Sequence, residues 1–118
     1  MPSDAERTIE RLKDIIESID AALSFTAGKS VEDFAADIKT QYATIRALEI
    51  VSEASRHIPD EIKVRYPHIP WVSIKAAGNV FRHGYRSVLI DLVWETVRRD
   101  LEPLSISMRI ELKRLVGT

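Results

Sequence analysis

Thr26-Ala27-Gly28-Lys29-Ser30-Val31-Glu32-Asp33 combines a helix stop with a helix start, and the fold follows from it. Gly28 supplies the permissive backbone that ends one helix. Ser30 offers a side-chain oxygen to the first amides of the next, and Glu32 and Asp33 place negative charge where the helix dipole favours it. Upstream, Ile9, Leu12, Ile16, Ile19 and Leu23 recur at intervals of three and four, a single apolar stripe. Ser3-Asp4-Ala5-Glu6 reads as the capping box that opens this helix. Downstream, Phe34, Ile38, Ile45 and Leu48 form a second stripe, with Tyr42 and Val51 beside it. That helix is expected to run to about His57, before Pro59. Two long helices joined by a short turn make an antiparallel hairpin.

Three of the five prolines, Pro59, Pro67 and Pro70, fall in the next segment, which reads as a short helical turn and an irregular connection. A third main helix is expected from Trp71 to about Phe81, with Gly78 inside it and Gly84 ending it. Ser87 or Asp91 starts a fourth, whose inner face is Ile90, Trp94, Val97 and Leu101, and which Pro103 is expected to stop. Residues 105–116 suit a last short helix with Ile106, Ile110 and Leu112 or Leu115 inward. No segment alternates as a strand does. The class is all-α, a bundle of four or five helices: a long antiparallel hairpin plus shorter C-terminal helices. At 118 residues the chain suits a single domain with one core.

Composition narrows the chemistry. Hydrophobic residues make up 45% and charged residues 30%, ordinary for a globular protein. With no cysteine, disulfides, thiolate metal sites and cysteine nucleophiles are excluded. No apolar run suits a membrane span. Met1-Pro2-Ser3-Asp4-Ala5-Glu6 is too acidic for a signal peptide, so a cytoplasmic location is expected. The net charge of −1 hides an asymmetry: residues 1–55 hold eleven acids and six bases, net −5, and residues 56–99 hold eight bases and four acids, net +4. A basic central block suits an anionic partner such as RNA or a nucleotide. It equally suits two oppositely charged faces that pair within a dimer.

Inside that basic block lies Gly78-Asn79-Val80-Phe81-Arg82-His83-Gly84-Tyr85. A neutral imidazole at His83 can take a proton from a ribose 2′-hydroxyl or give one to a leaving oxygen. Arg82 and Arg86 offer guanidinia to a phosphate or to its charged transition state. Asn79 lies one turn before His83 and shares its face. The competing reading is a helix C-terminus where His and Arg meet free carbonyls. Tyr85 is a candidate nucleophile or modification acceptor. His57 and His68 sit beside prolines or a helix end and form no close pair with each other or with His83, so no metal site and no cofactor are expected. Asp14, Glu17 and Asp20 read as a solvated helix surface. Trp71 and Trp94 are expected to fill the core or a dimer interface.

Five segments in order carry a resemblance that covers nearly the whole chain. They are Phe34-x-x-Asp37, Ile50-Val51-Ser52-Glu53-Ala54-Ser55, Ile69-Pro70-Trp71, Asn79-x-x-x-His83-x-Tyr85, and Val93-Trp94-x-x-Val97-x-x-Asp100-Leu101-x-Pro103-Leu104. On these the chain resembles the HepT-like family of the HEPN superfamily. The resemblance implies an all-α HEPN-type homodimer and a toxin that cleaves RNA without metal. It also implies a minimal nucleotidyltransferase (MNT) antitoxin that transfers AMP to Tyr85. The site would comprise His83, Arg82 and Asn79, with Arg86 and Lys75 as further phosphate contacts. The chain departs from the family at one position. The family's arginine, commonly directly before the polar residue, is Gly78 here, and Lys75 is one position too far out. Arg82 adjoins His83, and neighbours on a helix diverge by ~100°. Arg82 or Arg86 is therefore expected to substitute from another angle or across the dimer. The alternative is a catalytically silent subunit that binds a nucleotidyltransferase or a nucleotide.

Overall fold

A computed structural model describes residues 1–83 and 86–117, with the backbone alone at residues 83 and 86–88. Its elements are α1 (Asp4–Thr26), α2 (Val31–Ala35), α3 (Ile38–Arg56), α4 (Asp60–Lys63), α5 (Trp71–His83), α6 (Arg86–Arg99) and α7 (Leu101–Val116). Among the described residues there is no strand. The fold is all-α, as the HEPN-type reading requires.

α1 starts where Ser3 accepts from the Glu6 amide at 3.1 Å. The Glu6 carboxylate turns to the Ser3 hydroxyl at 3.3 Å. α1 ends at Thr26, and two residues on, Gly28 turns the chain with a left-handed φ of +72° that suits a residue without a Cβ. Its buried face is Leu12, Ile15, Ile16, Ile19 and Ala22, packed against α3 and α7.

The second long helix is not continuous. Ser30 and Asp33 form a reciprocal capping box, both bonds 3.0 Å, but the helix it opens stops at Ala35. The chain breaks at Asp37 and restarts. Asp37 Oδ1 accepts from the Thr40 amide at 3.1 Å, and Oδ2 accepts from the Thr40 hydroxyl at 2.6 Å. The buried Gln41 amide donates to the Phe34 and Ala35 carbonyls at 2.7 and 3.0 Å, satisfying groups the break would leave bare. An aspartate that can cap has outcompeted the ladder. The restart rotates the expected stripe: Phe34 and Leu48 are buried, whereas Ile38 and Tyr42 are exposed.

The C-terminal part also differs from expectation. Pro103 does not stop the fourth helix. α6 ends at Arg99, Asp100 turns the chain, and Pro103 sits in the first turn of α7, where a missing N–H leaves no bond unmade. Leu101 is therefore the buried first residue of α7, not the last of α6. Ile106 and Ile110 are exposed, and Leu104, Met108 and Glu111 face inward instead. The Glu111 carboxylate is fully buried and accepts from Arg65 Nη2 at 2.6 Å and the Tyr66 hydroxyl at 2.9 Å. It ties the proline-rich connection to α7. Burial, then the Glu111 carboxylate beside it, raises the Tyr66 phenol above its ordinary value.

Trp94 packs on Phe34 with ring centroids 5.4 Å apart. The Arg98 guanidinium lies 4.3 Å over its ring. Arg98 also donates to the Thr26 and Lys29 carbonyls at 3.3 and 3.0 Å. This fastens the turn after α1 to α6.

Candidate functional site

α5 presents the candidate residues, and α3 fixes where α5 lies. The buried Ser52 hydroxyl of α3 donates to the Ile74 carbonyl at 2.9 Å and approaches that of Lys75 at 3.3 Å. One turn on, Gly78 faces the same serine. A Cβ there would sit 2.5 Å from Ser52 Oγ and 3.2 Å from Ser52 Cβ. With Ser52 in this position, a side chain at position 78 would force the serine to move. Gly78 is a packing requirement of this helix pair.

Arg82 lies one turn after Gly78, on the same face. Helical side chains lean back toward the N-terminus, covering the preceding turn. Arg82 does so: one guanidinium nitrogen is 4.0 Å from where a Gly78 Cβ would be. The other donates to Asn79 Oδ1 at 2.9 Å. Arg82 thus reaches the space over Gly78 from one turn further along the helix, which is an approach from another angle. The comparison that matters is with position 78, four residues back, rather than with its neighbour His83. The bond also orients the Asn79 amide, since an oxygen facing the guanidinium turns the NH2 outward as a donor. Both side chains are exposed.

Lys75 is exposed on α5, one turn before Asn79. His83 is the last residue of α5 and Arg86 the first of α6, both described by backbone alone. Gly84 and Tyr85 lie outside the described residues. His57 and His68 are elsewhere: His57 caps α3 beside Glu53 at 3.2 Å, and His68 meets the Ser107 hydroxyl at 3.3 Å. Among the described residues, no three His, Asp or Glu side chains group as a metal site. No helix there is long and apolar enough to cross a membrane.

Two of the clefts that border α1 adjoin each other at Arg11. The larger, about 610 Å³, is lined by Arg7, Glu10, Arg11 and His57 among others, and does not border Asn79 or Arg82. The second, about 310 Å³, lies between α1, α3 and α5 and includes Arg82. Arg11 lines both. The role of Ser52 and the second cleft escaped the sequence reading. The only signal was a glycine in mid-helix, which points to close approach.

The family described as "Ribonuclease HepT-like" matches residues 15–109. The chain belongs to the HepT-like ribonuclease family. It is 42% identical over 93 residues to "Probable ribonuclease HepT" of Thermococcus cleftensis, spanning 79% of this chain and 84% of that protein. A "Putative RNase" of Methanocaldococcus jannaschii is 31% identical over 106 residues, 90% of this chain and 88% of its own. Another from that organism is 32% identical over 99 residues, 84% and 91% respectively. No solved structure matches. Within this HepT-like chain, Asn79 and Arg82 are the candidate residues whose side chains the structure brings into contact.

Proposed function

We propose that residues 1–118 form one HEPN/HepT-like domain that acts as a toxin, a metal-independent endoribonuclease working as a homodimer in the cytoplasm. One observation carries the reading: in a chain whose relatives are named as ribonucleases, the Arg82 guanidinium folds back over Gly78 and holds Asn79. A positive, multidentate group therefore stands beside the position where family members commonly keep their arginine.

In the reaction we propose, His83 removes the proton of a ribose 2′-hydroxyl. The freed oxygen attacks the adjacent phosphorus, forming the 2′-O–P bond as the P–O5′ bond breaks. Arg82 stabilises the charge on the pentavalent phosphorus, and the Asn79 NH2 donates to a phosphate oxygen. The departing 5′-oxygen takes a proton from an imidazolium. In a two-fold dimer the partner's copy of the same motif can supply it. The products are a 2′,3′-cyclic phosphate and a 5′-hydroxyl. Tyr85 is the acceptor to which an MNT-type nucleotidyltransferase antitoxin transfers AMP.

The test is purified protein on RNA in EDTA, beside His83→Ala and Tyr85→Phe. Cleavage is expected to persist with chelator and vanish with His83→Ala. It is expected to survive Tyr85→Phe, which should accept no AMP. A wild-type protein that cuts nothing would instead support the catalytically silent subunit that binds a nucleotidyltransferase or a nucleotide. Activity that returns only with a divalent ion would overturn the mechanism.

A further inference from the structure

Arg82 belongs to two surfaces at once. On one side it holds Asn79 at 2.9 Å. On the other it lines the 310 Å³ cleft between α1, α3 and α5, opposite Arg11 of α1 and Arg46 of α3. Arginines from three helices thus line one opening. Asp14, Glu49 and Glu53 also line it, yet among the described residues neither Arg11 nor Arg46 takes an ion pair with them. Glu53 is turned away toward Arg56 and His57, at 3.9 and 3.2 Å. Arg11 is half-buried, lines this cleft and its larger neighbour, and takes no ion pair among the described residues. Arginines from three helices that leave neighbouring carboxylates unused keep forked donors free for an outside acceptor such as a phosphate. The volume is at the small end for ligand sites, roughly 300 Å³ and upward, the scale of a nucleotide.

We propose that this cleft is an RNA-phosphate subsite. Arg11 and Arg46 hold a backbone phosphate of the strand next to the one that Arg82 and Asn79 present for cleavage. Arg82 is the shared border, touching Asn79 on one side and lining the cleft on the other, so a strand leaving the cleaved phosphate meets a cation where it enters. The inference rests on the ribonuclease reading and adds the path of the substrate to it. Glu49 and Asp14 set an upper limit on affinity, because their charge opposes the phosphate. That opposition gives the test its sign.

The probe is a 12-nucleotide 2′-O-methyl RNA, which lacks the attacking hydroxyl. Its affinity is read by fluorescence anisotropy across a series of KCl concentrations, for wild type, Arg11→Gln/Arg46→Gln and Glu49→Gln. Each phosphate contact on a single strand contributes about 0.7 to the slope of log affinity against log salt. The double variant should therefore lose about 1.4 from that slope. It should raise KM for cleavable RNA, and Glu49→Gln should tighten binding. Circular dichroism confirms that the variants are folded. Wild type that cleaves RNA in a His83-dependent manner, with a double variant of unchanged slope, overturns the subsite and spares the ribonuclease reading. Wild type that neither binds nor cleaves RNA overturns both. A double variant that loses dimerisation by light scattering while keeping the slope assigns the cleft to a second copy of this chain and overturns the subsite.

Discussion

Along α1 and α3 the residues that decide the structure are buried and touch one another. Along the last two turns of α5 the proposed site residues Asn79 and Arg82 are exposed and touch very little. Leu12, Ile15, Ile19 and Leu48 have 2% exposure or less, whereas Asn79 and Arg82 face solvent and share one hydrogen bond. The regions meet at Ser52 and Gly78, where α3 dictates what α5 can carry. Stability is concentrated in the first region and the proposed chemistry in the second. Substitutions should therefore separate into those that unfold and those that silence.

The largest expected effect is silencing. Arg82→Ala removes the guanidinium proposed to stabilise the transition state, and cleavage should fall by about 10²–10³-fold. Asn79→Ala should lower it less. Because both side chains are exposed, the melting temperature should hardly move, as such substitutions usually change stability by less than about 0.5 kcal/mol. Single-turnover cleavage beside thermal unfolding checks this. An Arg82→Ala protein that melts much earlier would show that the site is also a structural joint.

Next is a substitution that should unfold without silencing. Glu111→Ala leaves Arg65 and Tyr66 without their shared acceptor, and the cost should be about 3 kcal/mol, measured by urea unfolding. Arg65 is one-third exposed and can reach water, which keeps the loss at the lower end for a buried pair. Cleavage per folded molecule should be retained.

Gly78 tests the boundary itself. Gly78→Ala forces its Cβ to within 2.5 Å of Ser52 Oγ. The serine must rotate and surrender its bond to Ile74, at a cost of about 1–3 kcal/mol, partly offset by the better helix propensity of alanine. The double variant Ser52→Ala/Gly78→Ala should recover part of the loss, a coupling that separate sites would not show. Additive losses would mean that the two helices can slide apart.

What the sequence made legible follows the same division. The α1 stripe, the stop at Gly28, the cap at Ser30 and the turn after Pro59 each rest on local chemistry that a sequence displays. The break at Asp37 was hidden. Its apolar spacing looks continuous, and the break depends on Gln41 reaching back to carbonyls six and seven residues earlier. Pro103 was misread for a related reason: a proline marks a boundary, but only the neighbouring geometry says on which side. The histidine motif was visible as residue types. The contact of Arg82 with Asn79, and the reason Gly78 is glycine, depend on how closely two helices approach, which no single segment encodes.

The smallest effect concerns the break in the second helix and depends on pH. Hydrogen bonds from the Thr40 hydroxyl and amide, and the charge of Lys29, hold the Asp37 carboxyl below its ordinary value of 3.8. A depressed folded-state value means the bonded carboxylate stabilises the native state above the unfolded value, and that contribution disappears as pH falls through the folded one. Asp37→Asn keeps one acceptor but loses the charge. The variant should therefore melt slightly below wild type at pH 7, and the two curves should converge as the pH drops below the usual carboxylate range. Asp33 is lowered by Ser30 in the same way and remains in both proteins, so it cancels from the difference. A gap that stays constant down to pH 3 would mean that the break is held by shape and the Gln41 bonds, and that the aspartate's charge adds nothing.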